Sequence, residues 1–167
     1  MKTLLKQIFS FILPVTVLII VPLSIESNFT LKHLSTLMAG LLFIAFGLYI
    51  MLRTISAFIR IGKGTLAPWS PTRRLVIDGM YMYVRNPMIL GVLIVLAGES
   101  TALLSLNIFL WALLFFIINN IWFVFYEEPD LGKKFGREYE EYKRNVPRWI
   151  PRSKPYKPYT AESDKEN

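Results

Sequence analysis

The chain alternates between long apolar runs and shorter polar segments that carry most of its charge. Four runs stand out, at residues 8–25, 34–52, 87–98 and 102–126. As helices with a rise of 1.5 Å per residue, the first, second and fourth match the roughly 30 Å hydrocarbon core of a bilayer. The third run is shorter and needs its polar ends to complete a crossing. The pattern predicts an all-α membrane bundle of about four spanning helices.

Only residues 99–101 separate the third run from the fourth. Two helices joined by so short a turn form a tight antiparallel hairpin, which brings their outer ends together. We therefore expect Arg85 and Glu127 to be neighbours at one end of the bundle. In the second run, Gly40 and Gly47 lie seven residues apart. Small residues on one helix face predict a close helix–helix contact.

The part of the chain after residue 126 is polar but has an apolar periodicity. Apolar and aromatic residues recur there at spacings of three and four, at Leu131, Phe135, Tyr139, Tyr142 and Val146. This spacing predicts one amphipathic helix over residues 130–146, lying on the membrane or covering the cytoplasmic end of the bundle. Residues 153–167 are polar and predicted to be a disordered tail. Residues 1–152 then form a single domain.

The distribution of basic residues predicts the orientation. With four crossings, eighteen of the nineteen Lys and Arg residues lie on one side, and Lys32 is the exception. Cytoplasmic loops are enriched in Lys and Arg, so both termini and the central loop should be cytoplasmic in a multi-pass membrane protein. The net charge of +7 then fits anionic lipid rather than nucleic acid. The first run is followed by no small-x-small cleavage site, so we expect a retained span.

Several kinds of site are excluded by composition. The chain has no cysteine and one histidine, His33. Disulfides, thiolate catalysis, zinc–thiolate sites and iron–sulfur clusters are therefore impossible, and an ordinary zinc or di-iron site lacks ligands. We read His33 as a loop residue and predict no metal site.

The remaining candidate chemistry lies where the fourth run ends and the third begins. Glu127 and Glu128 follow the fourth run, where a helix C-terminus disfavours anions, so they need a cation such as Arg85 or a bound ammonium. An ordinary, solvated helix end remains open as the alternative. Asn86 and Pro87 are typical of a helix start, whose free N–H groups suit a ligand carboxylate. Together the two ends could hold an amino-acid zwitterion.

The order and spacing of these residues resemble a known family. The chain contains Gly79-x-Tyr81-x-Tyr83-Val84-Arg85-Asn86-Pro87-Met88-x-x-Gly91, and later Glu127-Glu128-Pro129, Phe135-Gly136, Tyr139, Tyr142 and Val146-Pro147-Arg148-Trp149-Ile150-Pro151. The segment from Gly64 to Val76 matches as well. This set resembles the isoprenylcysteine carboxyl methyltransferase and phospholipid methyltransferase superfamily, and in particular its small bacterial members, over about residues 62–152.

The resemblance implies a membrane methyltransferase that uses S-adenosylmethionine and a lipophilic acceptor, either a prenylcysteine-like carboxylate or a phospholipid amine. It implies a cofactor site at the cytoplasmic end of the last two helices. One side would be lined by Gly79, Tyr81, Arg85, Asn86, Pro87 and Gly91, and Glu127 and Glu128 would hold the methionyl ammonium. Among candidate catalytic residues, Arg148 could meet an acceptor carboxylate or phosphate, or snorkel to lipid headgroups.

Two other functions remain open. A membrane NADPH-dependent reductase of related fold is one, and a non-catalytic lipid- or partner-binding membrane protein is the other.

The eukaryotic enzymes usually carry His where Asn86 stands, so an imidazole role is absent here. Asn119 and Asn120, inside the fourth run, would form interhelical hydrogen bonds or contact a ligand.

Overall fold

A computed structural model describes residues 12–27, 29–30, 32–62 and 75–157. The described residues form helices and connecting segments without strands. The helices are α1 (Ile12–Ile25), α2 (Leu34–Gly62), α3 (Pro87–Leu103), α4 (Leu106–Trp122), α5 (Glu128–Phe135) and α6 (Arg137–Asn145). A 3₁₀ turn, Gly79–Met82, precedes α3. Residues 8–11 of the first predicted span, the segment 63–74 and residues 158–167 of the predicted tail lie outside the described residues.

The apolar surface of the helices indicates a membrane environment. Two segments, Leu34–Ala57 and Leu106–Phe135, are long and apolar enough to cross a bilayer. Within α4 only Ile108 and Phe115 are buried. The exposed side chains of that helix include Leu106, Phe109, Leu110, Leu113, Leu114, Ile117, Ile118 and Ile121. So large an apolar surface is not stable in water but is well solvated by lipid chains.

The tightest contact in the bundle is between α2 and α3. Gly40 lies against Gly98, and Gly47 lies against Gly91, so the two helices run antiparallel. A Cβ atom added at Gly91 would come within 2.9 Å of the Gly47 carbonyl oxygen. The glycines let the two backbones touch, and the close helix–helix contact predicted from Gly40 and Gly47 is confirmed.

The boundary between the third and fourth predicted spans is wrong. Residues 99–101 belong to α3, which continues to Leu103. The Thr101 hydroxyl donates to the Ala97 carbonyl within α3, so Thr101 does not end this helix. Leu104, with φ of 48°, ends α3, and the Ser105 side chain caps α4 by accepting from the Ile108 N–H. A serine before an apolar run is a recognised helix-start signal, and it lies four residues after the predicted break.

A π-helical turn, Phe123–Glu127, continues α4 into α5. The Glu128 N–H donates to the Phe123 carbonyl five residues earlier. The extra residue in this turn changes the direction in which every later side chain points. It therefore determines how Glu127 and Glu128 face their surroundings.

The predicted single helix over residues 130–146 is wrong in detail. Gly136, with φ of 55°, separates α5 from α6. The predicted apolar face is nevertheless present, because Tyr139, Tyr142 and Val146 are buried together with Leu131 and Phe135 packed against them. The cluster is larger than the pattern indicated, since it also includes Tyr156.

The predicted disordered tail starts too early. Tyr156 is buried, and its N–H donates to the Met82 carbonyl at 2.9 Å. Its hydroxyl donates to the Glu141 carboxylate, and its ring packs against Tyr142. Residues 153–157 are thus part of the folded domain, for which the polar composition of this stretch gave no signal.

We expect Gly91→Val to lower the stability of the folded protein, because the new side chain would clash with the backbone of α2. Overpacking of this kind costs about 1–3 kcal/mol, and more where backbone must move. The thermal unfolding midpoint in detergent should fall clearly. Gly132→Ala is the matched control, since its added Cβ makes only contacts of 3.4 Å and longer. Equal midpoints for Gly91→Val and wild type would contradict the proposed close contact.

Candidate functional site

A hollow of about 100 Å³ lies where the start of α3 meets the end of α4 and the helices α5 and α6. This volume has room for a small polar group and a few water molecules. Its walls are largely apolar and aromatic. The lining residues are Leu75, Val76, Tyr81, Arg85, Asn86, Phe123, Glu127, Glu128, Leu131, Tyr139 and Tyr142.

Glu128 is the centre of an ion cluster at this hollow. Its Oε1 atom accepts from Arg85 Nη1 at 2.8 Å and from Arg148 Nε at 2.6 Å. Its Oε2 atom accepts from Arg148 Nη2 at 2.9 Å and lies 3.5 Å from Lys143 Nζ. The side chain is only 7% exposed. A carboxylate buried to this extent is stable because cations surround it, and the fork of Arg148 binds both of its oxygens.

Glu127 has a different environment from its neighbour. It lines the hollow, yet in the described part of the chain it forms no ion pair. Glu127 lies near Tyr81. Burial of the Tyr81 phenol, and to a smaller extent the negative charge of Glu127, raise the pKa of this phenol far above its ordinary value. Tyr81 is therefore a neutral hydroxyl at physiological pH. An uncompensated carboxylate in an apolar hollow favours the binding of a cation.

Arg85 and Asn86, at the start of α3, form another wall of the hollow. The Asn86 side chain makes no capping hydrogen bond to its helix, unlike Ser105 at the start of α4. Among the described residues, the buried Nε atom of Arg85 has no hydrogen-bond acceptor. The first turn of a helix also leaves backbone N–H groups without helical partners. This wall therefore has donors available for an anionic or polar ligand group.

The C-terminal segment after α6 binds the loop that carries Tyr81 and Arg85. The Arg85 N–H donates to the Pro147 carbonyl, and the Arg152 N–H donates to the Tyr83 carbonyl, at 2.9 and 3.0 Å. The Tyr142 hydroxyl donates to the Tyr81 carbonyl at 2.8 Å. The residues from Tyr81 to Arg85 are thus held in place by α6 and by the segment that follows it.

Arg148 is not free to meet an acceptor in this arrangement. Its guanidinium is held by Glu128, and its Nη1 atom donates to the Asn120 Oδ1 atom at 3.3 Å. Trp149 Nε1 donates to the same oxygen at 3.0 Å. Asn119 instead donates to the Phe115 carbonyl within its own helix. Asn120 therefore binds the C-terminal segment, a contact that neither interpretation of this residue from the sequence had included.

The structure brings together five of the eight predicted cofactor-site residues. Tyr81, Arg85, Asn86, Glu127 and Glu128 line the hollow. The other three lie outside it. Gly91 packs against Met51 and Gly47 of α2, Pro87 is buried as the first residue of α3, and Gly79 is exposed with φ of 57°. These three positions support the backbone geometry of the site.

Several lining residues could not be identified as site residues from the sequence. Tyr139 and Tyr142 were assigned only to the apolar face of an amphipathic helix. Their role depends on how α5 and α6 fold back over the end of α4. The only signal in the sequence for such neighbours was that two adjacent carboxylates at a helix end need cations nearby.

The chain was compared with known proteins. Residues 35–138 match the family model described as phospholipid methyltransferase. A curated relative, protein-S-isoprenylcysteine O-methyltransferase of Schizosaccharomyces pombe, is 35% identical over 83 residues, covering 46% of this chain and 33% of that protein. The chain thus spans about a third of the length of this relative. No solved structure matches significantly. Since the family model covers more than half of its residues, the chain belongs to the phospholipid methyltransferase family.

Proposed function

We propose that this chain is an S-adenosylmethionine-dependent methyltransferase that acts at the cytoplasmic membrane face on a lipophilic acceptor. The observation that carries the proposal is the carboxylate of Glu127, which faces the hollow without a cation while Glu128 beside it is surrounded by three. Family membership supports the reaction class. The names of the family and of the yeast relative point to a phospholipid amine or a prenylcysteine-like carboxylate as the acceptor.

The contacts between helices support four crossings of the membrane. The end of α1 meets the turn between α3 and α4, where Ser105 donates to Glu26 and Asn107 donates to the Ile25 carbonyl. The start of α2 lies at the same level, since Gly40 contacts Gly98 and Ala102. Arg85 and Glu128 meet at the opposite end. With the basic residues concentrated at that second end, it faces the cytoplasm under the positive-inside rule.

The residues of the hollow fit the amino-acid end of the cofactor. Glu127 offers a negative charge for an ammonium, with three tyrosine rings nearby that favour a cation. Asn86 and the first N–H groups of α3 offer donors for a carboxylate. Glu128 takes a supporting role, because it fixes Arg85 and Arg148 in place.

The chain itself contributes binding, orientation and exclusion of water. When bound, S-adenosylmethionine supplies a methyl group that is already activated on a sulfonium centre. Phe123, Leu131 and the tyrosines of α6 give the hollow largely apolar and aromatic walls, and a low local dielectric strengthens the electrostatic contacts inside it. An acceptor carboxylate needs no base, and an acceptor amine has to lose one proton to water or to a carboxylate. Alignment is then the main requirement, which agrees with the few candidate catalytic groups.

We expect Glu127→Gln to weaken the binding of S-adenosylmethionine about 10- to 100-fold, because a hydrogen bond to a charged group contributes about 1.5–3 kcal/mol. Isothermal titration calorimetry on the purified protein in nanodiscs measures this. Glu138→Gln, on the exposed side of α6, is the matched control and should bind as wild type does. Unchanged affinity in Glu127→Gln would refute the assigned ammonium site.

Glu128→Gln should lower stability as well as binding. The change leaves Arg85 and Arg148 without their carboxylate, and loss of one partner from a buried pair costs about 3–5 kcal/mol. The unfolding midpoint in detergent measures the effect. Asp130→Asn serves as the control, because Asp130 and Lys133 are about 80% exposed and 3.8 Å apart, and such pairs contribute little. If Glu128→Gln unfolded at the same midpoint as wild type, the ion cluster would not contribute to stability.

The function is tested by methyl transfer from a radiolabelled donor to total membrane lipid. We expect labelled lipid with the wild-type protein and a much lower yield with Glu127→Gln. Binding of NADPH together with no binding of S-adenosylmethionine would favour a reductase. Donor binding without any labelled product, across lipid extracts and prenylcysteine compounds, would favour a non-catalytic role.

A further inference from the structure

Two asparagines lie side by side in α4 but have different partners. The side chain of Asn119 donates to the Phe115 carbonyl at 2.8 Å, within its own helix. The Oδ1 atom of Asn120 instead accepts from two side chains of the C-terminal segment, from Trp149 Nε1 at 3.0 Å and from Arg148 Nη1 at 3.3 Å. A polar side chain within a membrane span is costly unless it has such specific partners. The role of Asn120 is therefore to be sought in the segment that it binds.

Trp149 is held on the same face of α4 as Asn120. Phe116, Asn120 and Phe123 follow each other at spacings of four and three residues, which places them on one side of a helix. The Trp149 ring centroid lies 5.0 Å from that of Phe116 and 5.7 Å from that of Phe123. Phe123 also lines the hollow. Aromatic packing and one hydrogen bond thus fix this part of the C-terminal segment beside the hollow.

The guanidinium of Arg148 connects Asn120 with Glu128. Its Nε and Nη2 atoms donate to the two carboxylate oxygens of Glu128 at 2.6 and 2.9 Å. Its third nitrogen, Nη1, donates to Asn120. Because the guanidinium is planar and rigid, contacts on two of its sides determine its orientation. Asn120 therefore contributes to the way in which Arg148 meets Glu128.

Glu127 is a competing partner for this guanidinium. It precedes Glu128 directly, lines the hollow and forms no ion pair among the described residues. In a surrounding of low dielectric, an unpaired carboxylate strongly attracts a cation. If Arg148 were free to turn, it would be drawn to Glu127 and would take the place of a ligand ammonium. A fixed orientation of Arg148 prevents this.

We propose that Asn120 is a positioning residue of the hollow, which holds the Arg148 guanidinium on Glu128 and thereby keeps Glu127 unpaired for a ligand ammonium. Asn120 itself touches no ligand in this role. The identity of the ligand rests on the proposed function, whereas the link from Asn120 to Glu128 rests on the hydrogen bonds of Arg148. The link and the ligand can therefore be tested separately.

A double-mutant cycle tests the link without any ligand. Asn120→Leu removes the acceptor oxygen at similar side-chain volume and should lower the unfolding midpoint of the full-length protein in detergent. Among the described residues, Asn120 and Glu128 share only Arg148 as a hydrogen-bond partner. The loss caused by Asn120→Leu should therefore be clearly smaller in a Glu128→Gln background, since residues that share a partner are not additive.

Fully additive losses in this cycle would overturn the proposal. Asn119→Leu is the matched control, and its effect should be the same in both backgrounds. If Glu128→Gln does not fold, Arg148→Lys takes its place in the cycle, because an ammonium keeps the charge but has no planar fork to bind both residues.

The consequence for the hollow is measured by calorimetric titration of S-adenosylmethionine into the protein in nanodiscs. We expect Asn120→Leu to weaken binding about tenfold, because a hydrogen bond to a charged group is lost and Arg148 becomes free to bind Glu127. Asn120→Asp keeps an acceptor oxygen in place and should retain most of the affinity. Asn119→Leu should bind as wild type does.

Wild-type affinity in Asn120→Leu would overturn the proposal, and so would an equal loss of affinity in Asn120→Leu and Asn120→Asp. If the wild-type protein binds no S-adenosylmethionine, the proposed function is wrong. The unfolding midpoints would still decide whether Asn120 acts on Glu128, so the two failures are distinguishable.

Discussion

The carboxylate of Glu128 holds together the end of the bundle at which α3 begins and α4 ends. It binds a residue before α3 (Arg85), a residue of α6 (Lys143) and a residue of the C-terminal segment (Arg148). Three segments distant in sequence are thereby fixed around the end of α4. Because the group is nearly buried, its charge depends on these partners, above all on Arg85 and Arg148.

This cluster also explains why two adjacent acidic residues have different roles. If both carboxylates were paired with cations, the hollow would contain no unpaired negative charge. If neither were paired, the end of α4 would carry two buried anions. With Glu128 paired, Glu127 is the carboxylate that lines the hollow without an ion pair among the described residues. The distinction depends on the π-helical turn and on the return of the C-terminal segment.

The sequence predicted those parts of the structure that depend on local patterns. The apolar runs located the helices, and the glycines at 40 and 47 located the close contact. The short turn between the last two runs predicted Arg85 beside Glu127, and both line the hollow, but the ion pair of Arg85 is with Glu128. The break at Gly136, the burial of Tyr156 and the contacts of Asn120 were not predictable in this way, because each depends on segments that meet only in the folded chain.

The π-helical turn at Phe123–Glu127 limits how this protein can vary in length. An α-helix turns by about 100° per residue. Removal of one residue would restore regular α geometry and would rotate α5, α6 and everything after them around the axis of α4. The carboxylate of Glu128 would then turn away from Arg85, its partner that precedes the turn. This turn therefore has to keep its number of residues for the two ends of the site to meet.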